Sequence, residues 1–540
     1  MFFRVYIGLV NVEQRKPWSA KIPPGDWDAI VIGSGMGGMT TAALLAKLGR
    51  RVLVLEQHYT PGGFTHEFKR PGYHWDVGVH AVGEVTPRSM TGRLLQQLTD
   101  GRLQWASLGP VYDEFFFPDD FHIEFPDNPT RFRDNLVDAF PREAKAIDRY
   151  LALVREVSGA MKRYYLARLV PGSLGPIAER VVARSARKHL RTRTADVLAE
   201  LTTDERLRAV LAAQWGYYGA VPSRSSFAIH ALAVKHFLWG AYYPVGGSKQ
   251  IARELLRTVA DAGGWTAVRA DVEEILVEGG HAVGVRLKNG TTLRAKKVVS
   301  AAGVASTAQR LLPASAREQS WARSVRALPP APAHVCLYLG FRGDIRQAGA
   351  SAANQWFYET WSTEDEAWKI GVDGPLPDAP VLYCSFPSLK DPHHDPGPEQ
   401  RHTGEVVTFA PWSVFEPWRS EPWHKRGPDY EALKERLRAH LLQQFFRHRP
   451  QLEPLLDFAE LSTPVSTEHF CRPMQGSIYG LEPTPERFDN RYLRPSAPID
   501  DLYFAGSEVT TVGVIGAMMG GVLASVAAEP RRALEYLRHA

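Results

Sequence analysis

The chain has 540 residues, 44% hydrophobic and 23% charged, more than one ordinary core and the balance of a soluble, globular, enzyme-sized protein of two or more domains. Lys and Arg number 64 against 59 Asp and Glu, a formal +5, too thin a surplus over this length for nucleic-acid binding. The three cysteines, Cys336, Cys384 and Cys471, form no CxxC, which excludes a disulfide framework or structural zinc site and points to a reducing compartment.

The N-terminal MFFRVYIGLVNVEQRKPW carries an arginine inside its apolar stretch and lacks the long apolar core and cleavage site of a signal peptide. It is expected to be an extra strand or ordered arm; the alternative is an interfacial anchor with Arg15 and Lys16 on lipid phosphates. Residues 28–32 read as a parallel strand covered on both faces. Residues 37–49 read as a helix with a small apolar face of Met39, Ala42, Ala43, Ala46 and Leu48, and VLVLE (52–56) as a second strand. Between strand and helix stand Gly33, Gly35 and Gly38, a GxGxxG. The first glycine permits a tight turn, the second lets backbone approach a pyrophosphate, and the third packs helix on strand. Glu56 is placed to accept both ribose hydroxyls, and its charge would repel a 2′-phosphate. A second glycine pair, Gly62 and Gly63, follows at once, as the longer FAD requires.

Residues 134–240 are helical in pattern and rich in Arg and Ala. Their basic run, Arg180, Arg184, Arg187, Lys188, Arg191 and Arg193, is either a solvated face or one adhering to anionic lipid, with Val181, Val182 and Leu190 as its wetted edge. Residues 245–264 form a helix opened and closed by glycines. Short strands run to residue 303, with a KNG turn at 288–290. Residues 321–494 mix strands with many Pro and Trp. There Asp391, His393 and His394 fall in a proline-rich loop without metal-ligand spacing, so no metal site is expected. A helix follows at 429–449, a strand at 501–508 and a closing helix at 514–528. The uncharged run Val509–Ala528 is long enough to cross a bilayer, but its glycines and threonines suit a buried helix starting against a ligand. Glu508 can accept a ribityl hydroxyl, and the helix start near Gly516 can face the flavin N1/O2 edge.

The stretches VIGSGMGG…VLEQHYTPGGFTHEFKRPGYHWDVGVHAVG, YPVGGSKQIARELL, LYCSFPSLKDPHHDPG, FAPWSVFEPW and LYFAGSEVTTVGVIGAMMGG resemble the flavoprotein family of phytoene desaturases, carotenoid cis–trans isomerases and retinol saturases, over nearly the whole chain. The resemblance implies an α/β fold: a Rossmann-type FAD-binding domain of the two-dinucleotide-binding-domain kind, an α+β substrate domain, and a helical insert that can dock on a membrane. The expected divisions are 26–100, 241–320 and 495–540 for a discontinuous FAD domain, 101–240 for the helical insert and 321–494 for the substrate domain. It implies FAD contacts from Gly33, Gly35, Gly38, Glu56, Gln57, Gly62, Gly63, Thr65, Val272, Gly506, Glu508, Gly516, Ala517 and Met518. Glu508 stands where the family often has Asp. The implied chemistry is hydride transfer at flavin N5 to or from carbon–carbon double bonds of a long apolar polyene.

Such chemistry needs a group that gives or takes a proton. His80, in GVHAVG after the glycine pair, is the first candidate. Glu468 and Tyr479 come from segments that the resemblance places on the flavin's substrate side. Each has the alternative of only shaping the pocket. No second GxGxxG follows a strand, so a separate electron donor or acceptor is expected, with a cytoplasmic chain held peripherally at a membrane. Two other readings share the nucleotide cradle: an amine-oxidase-like flavoenzyme, and a non-enzymatic carrier of prenylated proteins.

Overall fold

A computed structural model describes residues 16–170, 183–365 and 367–539; the expectations placed on residues 1–15 and on Arg180, Val181 and Val182 lie outside them. The first apolar stretch forms β1 (Trp27–Ile32), the glycine cluster turns the chain into α1 (Met36–Lys47), and β2 (Val52–Leu55) returns parallel to β1 with Leu53 opposite Ile30. Every residue of α1 from Met36 to Ala46 is buried; a helix apolar on all sides sits inside a domain, not on its surface. Gly49, at φ +77°, closes it. The amides of Gly49 and Arg50 reach back to the carbonyls of Ala46 and Leu45, satisfying the helix's last acceptors.

The strand Thr292–Ser300 gathers distant pieces of chain. One edge runs parallel to β1, with Val299 opposite Val31. On the other edge its last residues run parallel to Leu502–Phe504, with Val299 opposite Tyr503. Its first residues pair antiparallel with His281–Leu287. Among the described residues these strands belong to an eight-stranded sheet. The closing helix, Gly513–Ala528, lies against α1 at glycines. A Cβ on Gly37 would stand 2.5 Å from Gly506 Cα, and one on Gly521 2.3 Å from the Gly37 carbonyl oxygen. Without side chains there, backbones meet directly, and Thr41 Oγ1 donates to the Gly37 carbonyl at 2.9 Å and lies 3.1 Å from that of Gly521.

A seven-stranded sheet carries the second half of the molecule. Its strands include β3 (Val111–Phe117), β4 (Ala333–Arg342), β5 (Asn354–Tyr358), β6 (Val381–Ser385) and β7 (Arg401–Ala410). From one edge the order is Leu456–Ser462, β4, β7, β6, β5, β3 and Phe121–Pro126. The hairpin of β3 and Phe121–Pro126 thus departs from the expected helical insert 101–240: β3 runs parallel to β5, with Phe115 opposite Trp356. Its aromatic VYDEFFF suits a pleated surface. The outer face, with Val335, Leu337, Leu382 and Val406, packs against the helix Pro428–His448. The inner face meets the helices Ala144–Ala167 and Phe227–Phe237 through Phe115, Trp356, Tyr383 and Phe409.

No helix among the described residues is long and apolar enough to cross a membrane. In the basic run, the helix Arg184–Arg191 buries Ala186, His189 and Leu190. Leu190 is a packing residue, not a wetted edge, because it faces the inner core with Val154 and Val157.

Candidate active site

A cleft of about 1030 Å³ runs from the β1–α1 turn, past the ends of β1 and β2, to the segment around Tyr479. Its walls come from sequence-distant loops: 32–37, 55–60, 63–66, 269–273, 301–303, 465–474, 478–480 and 505–508. Open parallel sheets hold ligands in this position, outside the carboxyl ends of their strands.

Two glycine loops meet at the cleft. Gly33, at φ +93°, makes the turn, and Gly35 opens α1 from an extended conformation. A Cβ on Gly35, Gly506 or Gly513 would meet no protein atom within 4 Å; these positions face open space. A Cβ on Gly63 would stand 3.0 Å from Gly35 Cα, so the second loop rests directly on the first. The α1 N-terminus, with its free N–H groups and dipole, borders this space. The cradle suits a pyrophosphate.

Glu56 ends β2 and is 6% exposed. Its Oε2 accepts from the Ser34 amide at 3.0 Å and the Ser34 hydroxyl at 2.5 Å, and its Oε1 accepts from the His58 amide at 2.8 Å. Ser34 Oγ also accepts from the Gly62 amide at 3.1 Å. This hydroxyl therefore ties the carboxylate to both glycine loops. Sequence reasoning missed Ser34; its only signal was a hydroxyl residue inside GxG.

Gly33, Gly35, Glu56, Gln57, Gly63, Thr65, Val272, Gly506, Glu508, Ala517, Glu468 and Tyr479 line the cleft. Gly38, Gly62, Gly516 and Met518 stand behind its wall. A Cβ on Gly38 would lie 2.1 Å from the Gly33 carbonyl oxygen and one on Gly516 2.0 Å from that of Thr511, while Met518 is fully buried in the core. Thr65 Oγ1 donates to the Gly62 carbonyl at 2.8 Å, and Gln57 Nε2 to that of Phe470. Glu508 accepts from the Ala305 amide at 3.0 Å. Burial raises its pKa, against the pull of that amide and of Arg487.

The three proton-transfer candidates do not converge. Glu468 pairs with Arg419 at 2.6 Å, on the helix Pro464–Cys471, whose Phe470 ring touches His58 beside Glu56. That is the Glu56 end of the cleft, not its far end. Tyr479 donates its hydroxyl to the Gly216 carbonyl at 2.9 Å, and burial pushes its pKa up; its ring forms a wall towards the insert. His80 does not line the cleft, although Gly78 does. The imidazole turns Nδ1 to Glu405 Oε2, 2.8 Å away. Burial, then the Lys390 charge, brings its pKa down to about 4.

Behind His80 lies a buried polar band that the sequence reading did not assemble. Asp113 receives Tyr217 Oη at 2.6 Å, Asn354 Nδ2 at 3.0 Å and Gln214 Nε2 at 3.1 Å. Lys390 Nζ donates to the His80 carbonyl at 2.7 Å, to Asn354 Oδ1 at 2.5 Å and to Ser385 Oγ at 2.8 Å. Burial lowers its pKa to about 7. Asp76 accepts from Tyr243 Oη at 2.5 Å, and burial raises its pKa to about 7. The lone acid in TGEVVTFA and the lysine in SFPSLKDP were the available signals. The neighbouring Asp391, His393 and His394 do not converge: Asp391 accepts from the Gly246 and His393 amides, and His394 Nε2 sits beside the Arg401 carbonyl.

A family model for flavin-containing amine oxidoreductases matches residues 36–528. The all-trans-retinol 13,14-reductase of Danio rerio is 32% identical over 95% of this chain and 88% of its own. The chloroplastic prolycopene isomerase of Arabidopsis thaliana is 26% identical over 92% of this chain and 82% of its own. Among solved structures, cyclohexylamine oxidase from Brevibacterium oxydans aligns with a TM-score of 0.59 at 18% identity, covering 95% of this chain and all of that one; likeness at that identity concerns the fold alone.

Proposed function

The chain belongs to the flavin-containing amine oxidoreductase family, and from that premise we propose that it reduces a carbon–carbon double bond in a long apolar polyene of the retinoid or carotenoid kind, using FAD. The observation that carries this reading is the 32% identity to a retinol 13,14-reductase along 95% of the chain. Bound FAD supplies a hydride to, or accepts one from, carbon.

The protein's own residues do the rest. The Gly33–Gly35 turn and the α1 N-terminus would hold the pyrophosphate, Glu56 the ribose hydroxyls and Glu508 the ribityl chain. Gly63, Thr65, Gln57, Val272 and Ala517 complete the lining, with Gly38, Gly62, Gly516 and Met518 shaping it from behind. In this reading residues 26–100, 241–320 and 495–540 act as one FAD domain. A polyene would enter the far end of the cleft, beside Ile478 and Tyr479, each buried CH₂ contributing about 0.8 kcal/mol. His80 gives the proton; Tyr479 and Glu468 brace the walls. Electrons come from a separate donor, and Arg184, Lys188 and Arg193 offer a weak contact for anionic lipid.

A second reading, cis–trans isomerisation, has its own support in the identity to a prolycopene isomerase. One experiment separates them. The flavin-loaded protein is reduced anaerobically and mixed with all-trans-retinol or carotenoids, and products are weighed by mass spectrometry. A gain of two hydrogens is expected. Unchanged mass with shifted retention marks the isomerase, oxidation of amines with peroxide release the amine oxidase, and purified protein without a flavin band the carrier. No turnover of any polyene overturns the proposal.

A further inference from the structure

Glu405 sits in the middle of β7, between Tyr338 on β4 and Ser385 on β6, on the inner face of the seven-stranded sheet. Its side chain is fully buried. Strand interiors on a buried face take apolar residues, and an uncompensated carboxylate there is costly. Yet neither Glu405 oxygen accepts a hydrogen bond of good geometry among the described residues, and the Asp76 backbone N–H only offsets part of the cost of burial. Oε2 lies 2.8 Å from His80 Nδ1. Lys390, the nearest cation acting on it, spends its three N–H bonds on neutral oxygens: the His80 carbonyl, Asn354 and Ser385. The other groups around the pair are Asp76, Glu67, Tyr243, Tyr338, Tyr383, Cys336 and His334; none of these offers a second positive charge at neutral pH.

A fully buried carboxyl with a single indirect cation and only the Asp76 backbone N–H as donor is held as the neutral acid, and burial raises its pKa well above the usual range. As a neutral acid it has an O–H to donate, and the nearest basic atom is His80 Nδ1. His80 is neutral for the same reason of burial. Its Nδ1 is sealed against Glu405, and Nε2 is the ring nitrogen left accessible, with 16% of the side chain exposed. Lys390 fixes the backbone of His80 by its carbonyl, so the ring and the acid are kept in register.

We propose that Glu405 is the internal proton store for His80: as Nε2 gives its proton to the substrate carbon, the Glu405 carboxyl proton passes to Nδ1, with Lys390 as the positioning residue. The balance is that of a double-bond reduction. The hydride from the reduced flavin forms one C–H bond and carries both electrons. The proton leaving Nε2 forms the other. The Glu405 O–H bond breaks as Nδ1–H forms, and solvent returns a proton to the carboxylate before the next turnover. The imidazole changes tautomer and stays neutral, so the one new charge is the Glu405 carboxylate, within the field of Lys390.

This inference rests on the polyene reading for its substrate but not for its proton inventory, and two measurements keep them apart. In infrared difference spectra of the flavin-loaded protein at pH 7, wild type minus Glu405→Gln should show one protonated-carboxyl stretch that shifts in D₂O. Absence of that band overturns the proton store whether or not any polyene reacts. In turnover, Glu405→Gln should lower kcat about a hundredfold, within the range of general acid catalysis, with KM and the flavin spectrum unchanged and a larger solvent isotope effect. Glu405→Asp, which keeps the proton but lengthens the gap, should recover part of that loss. A Glu405→Gln enzyme within twofold of wild type, with an unaltered pH profile, overturns the proposal. A wild type that turns over no polyene overturns the substrate reading, and the infrared band then decides for Glu405 alone.

Discussion

Glu56 is anchored by the protein itself. Three protein donors hold it at the end of β2, and two of those belong to Ser34 of the glycine turn. Glu56→Ala would remove the acceptor for the ribose and leave the Ser34 and His58 amides unpaired. FAD affinity should fall roughly a hundredfold, about 3 kcal/mol for two lost hydrogen bonds to a charged group, as read by titrating apoprotein and following the flavin band. Tyr479 presents the opposite case. Its hydroxyl is already committed to the Gly216 carbonyl, so Tyr479→Phe should lower stability by about 1 kcal/mol in a denaturant melt. Turnover should stay within a few-fold of wild type; a collapse of kcat would show that the hydroxyl handles a proton.

At the scale of elements, the crossing of α1 and the closing helix sets one wall of the cleft. It depends on Gly37, where a Cβ would stand 2.5 Å from Gly506 Cα. Gly35, two residues earlier, faces open cleft and has an ordinary φ of −66°. The two positions should therefore separate folding from binding. Gly37→Ala forces the helices apart and should lower the melting temperature of apo- and holoprotein alike. Gly35→Ala should leave the apoprotein melt unchanged and abolish the shift that FAD produces, because its methyl occupies ligand space. The reverse pattern would mean that the cleft is not where the cofactor binds.

The whole molecule carries an acid liability. His66, His80 and His334 are pushed down to about 4, and His230 and His236 to about 3, in each case chiefly by burial. In the unfolded chain they take up protons near pH 6.5; folded, they do not. Their stability contribution is complete above that pH and is lost as pH falls towards 3–4. Asp76, Asp113, Glu405 and Glu508 oppose this, since burial raises their pKa values and the folded state keeps protons that an unfolded carboxyl has released above about pH 4. The histidines outnumber these carboxyls, which leaves a net loss of about 1.4 kcal/mol per pH unit for each proton not offset. The melting temperature should fall steadily from pH 6.5 to 4; a flat profile would mean that these histidines are hydrated.

Much of this was legible in local sequence. GxGxxG between a strand and a helix, an acid at the end of the second strand, and glycines at the closing helix are short-range signals with direct steric causes. They determined the nucleotide fold and most of the residues that line its cleft. The tertiary structure alone decided the rest. The hairpin at 111–126 joined the second sheet because its partner strand lies more than two hundred residues away. Glu468 and His80 parted because a local helical pattern says nothing of which end of a cleft the helix reaches. Lys390, Glu405 and His80 come from three separate segments, and their shared burial exists only once the sheet has closed over them. A side chain's charge state depends on its surroundings, and surroundings are set by the fold.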